Sequence, residues 1–590
     1  MVTTPSSPRR SEQRSSSAPA ASSGLSPALL RTLAESRSLA TLLERIVHAP
    51  GCYALLDTVA AVRPFLAGVL WTALRRPMLI VVPTADIAER TFADLTQYLA
   101  SEGAGTDATP LALVRARDES VGALESPSER SARMSLLNDL LDGRPIIAIA
   151  PLAALRQYLI PRELFDELRF TLRIGDSLDF EALLQRLYRL GYRRSDVVAA
   201  AGEYAVRGGI IDIFTATGRT PTRIEFFGDE IESIRAFDLS TQRSLPDGES
   251  EELLIAPWSE IPRGSASPDA ILARVEGTPA VREAVRRFLA RGADIPEAWV
   301  SLIHTQRRTL LDYFGTEALL LIEEPAMLAA IESGLIEERA RETQTLLADV
   351  ESGELSVDSE LVGEVLLAEV PTPIPTLAEI GAHAVFRPTV LIPGAIEAPE
   401  DLTWLPQARE GFVLEARPAD HFHRQTSLFL ESVSSWVDAG ETVAIVSSGT
   451  GRITEMLAES GISVERSASL VRLRMAGAQT ARGRIVFLEH GTIDGGFTIP
   501  QMHLRVFGDH EIFGQPPKRV KLRAVKEGVP VTLADLKVGD HVVHAVHGIG
   551  QYLGLRTETI LGATSDYLDL RYAGTDRMLV PVTQMHQIAK

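Results

Sequence analysis

Phosphate chemistry is the first chemistry that residue types and spacing allow to be tested in this chain. A loop of the form G-x-x-x-x-G-K-[ST] depends on its lysine, which neutralises β- and γ-phosphate charge while glycine amides cradle the oxygens. The chain has five lysines: Lys518, Lys521, Lys526, Lys537 and Lys590. None sits in such a loop, so no nucleotide-hydrolysing site is expected. The run ALLLIEEP at 318–325 has the form of a Walker B strand ending in Glu323 and Glu324. Carboxylates there hold magnesium only when a loop presents phosphates, so this reads as a strand end with two solvated acids. Asp509 and Glu511 have the spacing of a DExH box and read as structural for the same reason. Gly449-Thr450-Gly451 has the composition of an anion nest, and the plainer reading is a connecting turn. His541, His544 and His547 invite a metal reading. Strand alternation sets His544 opposite the other two, and no cysteine or carboxylate cluster lies at ligand spacing, so they read as structural or surface histidines. No catalytic, cofactor-binding or metal-ligating residue is expected.

A chain of 590 residues implies about four domains of ~150 residues. The only cysteine, Cys52, excludes an internal disulfide and points to a reducing compartment. No apolar run reaches the roughly 18–20 residues of a membrane helix. Arg9-Arg10 has no apolar segment after it, so export is not expected. The formal charge of −19 argues against a broad grip on DNA.

The elements that must position any functional residue fall into blocks. Residues 28–150 alternate apolar strands (77–84, 145–150) with an amphipathic helix (85–99), the pattern of a RecA-like lobe with a parallel sheet. Where a phosphate loop would lie, 62–74 reads VRPFLAGVLWTAL, with one glycine and no lysine. Val281, Val285, Phe288 and Leu289 form one stripe of a helix over 278–292 and read as core packing. Residues 386–514 form a further α/β unit. The segment 515–530, QPPKRVKLRAVKEGVP, reads as a basic linker.

Two stretches are more specific. In GEYAVRGGIIDIF followed by RIEFFGDEIESIRAFD (202–214 and 223–238), Gly208-Gly209 and Gly228-Asp229 supply turns between three strands. Ile224 and Phe226 share one face, Arg223 and Glu225 the other. The product is an antiparallel meander with one apolar and one charged face. Read alone, that charge merely solvates the face or pairs across strands. At the C-terminal end, GDHVVHAVHGIGQYLGL and DYLDLRYAGTDRMLVPV (539–555 and 566–582) give short strands over roughly 50 residues, the spacing of a small SH3-like barrel.

The first stretch resembles the insert of the excision-repair helicase UvrB, and more closely the same insert in the transcription–repair coupling factors (Mfd). The second resembles the RNA polymerase-interacting module of that family, related to CarD-type regulators. The implied fold is multidomain α/β. A disordered tail (1–24) precedes a degenerate RecA-like helicase lobe (25–155 and 245–380) carrying an inserted antiparallel α+β domain (156–244). A small α/β domain (381–514), a linker (515–535) and a C-terminal SH3/tudor-like β-barrel (536–590) follow.

The resemblance also implies partners. Its UvrA-binding positions fall on Arg193, Arg194, Arg207, Phe214, Arg223 and Glu225, with Ala205 where UvrB has a further arginine. Its RNA polymerase-binding positions fall on His544, Ala545, Val546, His547, Gly548, Ile549 and Tyr552, where a strand edge lies along the polymerase β subunit. In the family a relay helix, an ATP-driven translocase with magnesium, and a masking domain follow this module; their motifs are not in these residues. The expected function is an adaptor between stalled RNA polymerase and UvrA in the bacterial cytoplasm. It needs no cofactor, uses no membrane, and touches DNA weakly if at all. The alternatives are a portion of the full translocase whose motor lies elsewhere, and a stand-alone CarD-type regulator.

Overall fold

The computed structural model describes residues 36–99, 111–117, 126–275, 279–291, 295–351, 374–394, 402–466, 485–514, 539–544, 548–560, 563–571, 577–581 and 588–589. The expected tail at 1–24 and linker at 515–535 lie outside the described residues, as do Ala545, Val546 and His547.

Short, mostly apolar strands build a seven-stranded sheet. Its order is Gly411–Val413, Cys52–Leu56, Thr389–Ile392, Leu319–Glu323, Met78–Val82, Ile147–Pro151, Leu111–Leu113, and every pairing is parallel. Strands buried on both faces need no polar alternation, which is why MLIVV and LLLIE read as continuous apolar runs. The sheet takes in strands at 389–392 and 411–413, residues that the sequence reading gave to the following α/β domain.

Each face serves a different neighbour. Leu79, Val81 and Ile322 join the core that continues into the inserted domain. Ile80, Val82 and Leu321 face helices Arg63–Leu74 and Ala85–Leu99, and this core runs on into Phe487, Phe497 and Val506 of the second α/β unit. That second sheet has the order Arg417–Pro418, Phe497–Ile499, Leu504–Phe507, Thr442–Ser447, Ile485–His490, Ser463–Arg466. Its last four strands are parallel and its first two antiparallel. Across the seam, Gln97 Nε2 donates to Glu489 Oε1 at 2.7 Å and the buried Asp94 carboxylate accepts from the Asp494 amide at 3.0 Å. Burial pushes the Asp94 pKa up to about 7.

The inserted domain is a six-stranded sheet. Its order is Ser244–Glu249, Glu230–Phe237, Thr222–Phe227, Ile210–Ile213, Glu203–Arg207, Arg193–Arg194. Tyr204, Ile211, Ile224 and Ile234 face inward with Leu183 and Leu187 of helix Phe180–Arg189. Phe180 meets Phe226 edge-on, with ring centroids 5.1 Å apart. Asp179 caps that helix by accepting from the Ala182 amide.

The root of the insert is tied to the lobe by charge. Glu260 is wholly buried (0 % exposed). Its Oε1 accepts from Arg117 at 2.5 Å and from Arg133 at 2.9 Å, and its Oε2 from the Ile160 amide at 2.9 Å. Glu297 in turn accepts from the Glu260 amide and from Ser259. Beyond this knot, helix Pro279–Ala290 buries Val281 and Val285 with Trp299, as its stripe implied.

The C-terminal strands run in the order Arg577–Pro581, Ala563–Arg571, Gly548–Ile560, His541–His544, Ile588–Ala589. All their pairings are antiparallel. Among the described residues no pairing joins the two outer strands.

Candidate functional site

The outer face of the inserted sheet collects most of the expected docking residues. Register sets Ala205 beside Asp212, Asp212 beside Arg223, and Arg223 beside Arg235. The adjacent row runs Arg207, Ile210, Glu225, Ser233. These residues do unequal work. Arg223 donates through Nε (2.7 Å) and Nη2 (2.9 Å) to Asp212, whose side chain is 2 % exposed, and its guanidinium lies over Phe237. Glu225 accepts from the Ser233 hydroxyl at 2.7 Å. Arg193 pairs with Glu203, which also accepts from the Ala199 and Ala200 amides. Arg207 is exposed, and its guanidinium donates to the backbone oxygen of Asp196 at 3.4 Å. Two expected residues stand apart. Arg194 lies beside Tyr204 in the register, so it leaves the strand on the helix side of the sheet. Phe214 is half-buried against Val198, Ala205 and Phe237.

This division decides what mutagenesis can report. Arg223→Met leaves the Asp212 carboxylate buried and unpaired, and should cost about 2–3 kcal/mol. Arg207→Glu should stay within roughly 0.5 kcal/mol of the unmodified chain. Thermal melting of both variants checks the contrast; equal losses would contradict it.

In the first α/β unit, the acids ending LLLIE are not solvated as the sequence reading had them. Glu323 is buried, and Arg63 Nη1 donates to its Oε2 at 3.3 Å and to Glu324 Oε1 at 2.7 Å. Arg63 is the first residue of helix Arg63–Leu74, in the stretch where a phosphate loop would be sought. Burial pushes Glu323 up to about 7 despite the adjacent guanidinium. The second unit has the complementary arrangement. Asp509 accepts from the Ser447 hydroxyl and from the amide and hydroxyl of Ser448, immediately before Gly449. Glu511 is buried and accepts from the Gly508 amide at 2.8 Å. In both units these acids are bonded to groups of the chain itself.

At the C-terminal sheet, His544, Gly548 and Ile549 lie in paired strands, and Tyr552 is buried. Strand His541–His544 is flanked by Gly548–Ile560 on one side and by Ile588–Ala589 on the other. Val543 and His544 are therefore interior, not an open edge. The outer strands of the described sheet are Arg577–Pro581 and Ile588–Ala589. Among the described residues no group of three His, Cys, Asp or Glu side chains could hold a metal ion, and no helix is long and apolar enough to cross a membrane.

Two family models match the two structurally distinct ends. The UvrB interaction domain covers residues 170–260, which is the inserted sheet and its root. The CarD-like/TRCF RID domain covers residues 536–590. The Transcription-repair-coupling factor of Bacillus subtilis (strain 168) is 28% identical over 495 residues, covering 79% of this chain and 39% of that protein. The protein of the same name from Staphylococcus epidermidis is 27% identical over 543 residues, covering 87% of this chain and 43% of that protein. The chain is homologous to the transcription-repair-coupling factors. It spans about two fifths of the length of the curated coupling factors it matches.

Against this coupling-factor homology, three features escaped the sequence reading. Asp212 carried a usable signal, since an acid inside the buried run IIDI demands a cation on a neighbouring strand. Phe227 carried another. If alternation turns Phe226 inward, the second phenylalanine of FFGD must point out. The pairing of Arg63 with Glu323 had no local signal, because 260 positions separate them.

Proposed function

We propose that this chain is an adaptor of transcription-coupled excision repair, joining RNA polymerase at its C-terminal sheet to UvrA at its inserted sheet. The supporting observation is that one chain carries both matched domains, and the insert holds an exposed arginine, Arg207, on its charged face. A guanidinium suits such a face because its planar fork pairs with carboxylates in two-point contact. At the other end the polymerase β subunit adds a strand. Because Ile588–Ala589 already pairs with Val543 and His544, that strand takes the outer side of Ile588–Ala589 or of Arg577–Pro581. The sheet in this reading curls as the tudor-like barrel of the family. The chain works in the bacterial cytoplasm and uses no cofactor, metal or membrane; DNA contact is weak.

The reading is tested by capture of purified UvrA and RNA polymerase on the chain, without ATP or DNA. Both should bind. Deleting 538–590 should abolish polymerase capture and leave UvrA capture intact. Polymerase retention by the shortened chain would defeat the assignment. A second reading makes these residues part of a translocase whose motor lies elsewhere. The Arg63 contact with Glu323 and Glu324 speaks against a nucleotide site inside this lobe, since a guanidinium already meets the acids a metal–nucleotide complex would need, and it fits both readings. DNA-stimulated ATP turnover by the purified chain would contradict both, because each keeps the motor outside these residues.

A further inference from the structure

Phe227 is the most exposed large apolar side chain among the described residues, at 80 %. Strand alternation places it on the outer face with Arg223 and Glu225, while its neighbour Phe226 is turned in against Phe180. The adjacent strand turns at Gly208 and Gly209, and Gly209 accepts from the Phe226 amide at 2.8 Å. A side chain at Gly209 would begin 2.9 Å from the Phe226 carbonyl oxygen, so that position is held bare. On the other side the chain reverses at once through Gly228, at φ +64°.

The hairpin tip that carries Phe227 is held firmly. The Leu178 amide donates to Asp229 at 2.8 Å, the Ile231 amide to Asp176 at 3.0 Å, and the Gly175 amide to Ile231 at 2.8 Å. An aromatic ring fixed on a rigid turn loses little freedom on contact with a partner. Exposed aromatic rings and arginines are among the side chains that dominate protein interfaces. On this face the charges differ in availability. Arg223 is matched by Asp212 and Glu225 is bonded to Ser233, whereas Arg207 is exposed against a single long backbone contact.

We propose that Phe227 is the aromatic anchor of the UvrA-docking face. It enters an apolar pocket of UvrA, next to a carboxylate that pairs with Arg207. This rests on the reading that the insert docks UvrA, and adds to it a residue outside the charged set. The observations that favour a protein carrying acid beside an apolar pocket are the exposed Phe227 and Arg207 on one face, with exposed Glu230 opposite Phe227 in the register, and the position of that face inside the matched UvrB interaction domain.

The test is UvrA binding by the full chain, measured by calorimetry for the unmodified protein, Phe227→Ala, Phe227→Leu and Phe386→Ala. Phe386 is the control, an aromatic that is also largely exposed but lies outside the insert. Phe227→Ala should weaken binding roughly 30-fold or more with no change in melting temperature. Phe227→Leu should recover most of the affinity, and Phe386→Ala should bind as the unmodified chain does. Binding by Phe227→Ala within about threefold of the unmodified chain overturns the proposal while leaving the adaptor reading intact. No UvrA binding by the unmodified chain defeats the adaptor reading itself, and this inference with it. Sedimentation supplies the remaining arm. An unmodified dimer that Phe227→Ala converts to monomer would assign the ring to a second copy of this chain and overturn the proposal.

Discussion

Glu260→Gln is expected to destabilise the junction between insert and lobe by about 3–5 kcal/mol. The substitution keeps the shape and removes only the charge. Arg117 and Arg133 then remain buried without the carboxylate to which both donate. Burial alone would push the Glu260 pKa up, but Arg117 and Arg133 outweigh it and hold it below its ordinary value of 4.5. The sign of the pH dependence follows. A carboxyl lowered in the folded state contributes stability above 4.5 and loses it as pH falls through the lower folded value. The unmodified chain should therefore show an acid limb that Glu260→Gln lacks. Trp258, two residues away, and Trp299 are two of the five tryptophans whose fluorescence would follow this unfolding. Adding Arg133→Met to Glu260→Gln should cost less than the sum of the single changes, because the pair is one unit. Additive losses, or a Gln variant as stable as its parent at neutral pH, would refute the account.

What the sequence made legible here follows from range. Strand Met78–Val82 lies within two residues of the apolar run at 77–84, and Thr222–Phe227 carries the alternation read at 223–226, because those signals are local. The inward Ile224 and outward Glu225 follow from period two alone. Membership of a parallel sheet does not. Thr389–Ile392 pairs with Cys52–Leu56 across more than three hundred positions, and no local pattern marks a parallel partner. The docking residues divide in the same way. Their types and rough face were readable from alternation. That Arg223 is committed to Asp212 while Arg207 is exposed depends on cross-strand register. The same limit explains the error over Glu323 and Glu324. A strand ending in two acids looks solvated until a distant helix brings its first residue, Arg63, against them.

Arg63→Met should destabilise the first α/β unit more at pH 8 than at pH 5, by up to about 1.4 kcal/mol. A cation at the first position of a helix opposes the positive end of the helix dipole. The position is tolerable here because two carboxylates meet it. Glu323 is the one most affected, since burial already raises it from 4.5 to about 7 with Arg63 in place. For a carboxyl raised on folding, the linkage runs opposite to that of Glu260. Stability falls as pH rises from 4.5 towards the folded value, because the buried group must ionise. Removing Arg63 pushes that folded value higher, so the added loss is small while Glu323 is protonated and grows once solvent pH favours the anion. Asp94 is also raised by burial, to about 7, and gives the unmodified chain a trend of the same sign. The informative quantity is therefore the difference between variant and parent at each pH. In a Glu323→Gln background that difference should shrink and lose most of its pH dependence, because the anion that needs Arg63 is gone. Equal losses at pH 5 and pH 8 would mean that Arg63 acts through packing of its stem, and the charge account of this contact would fail.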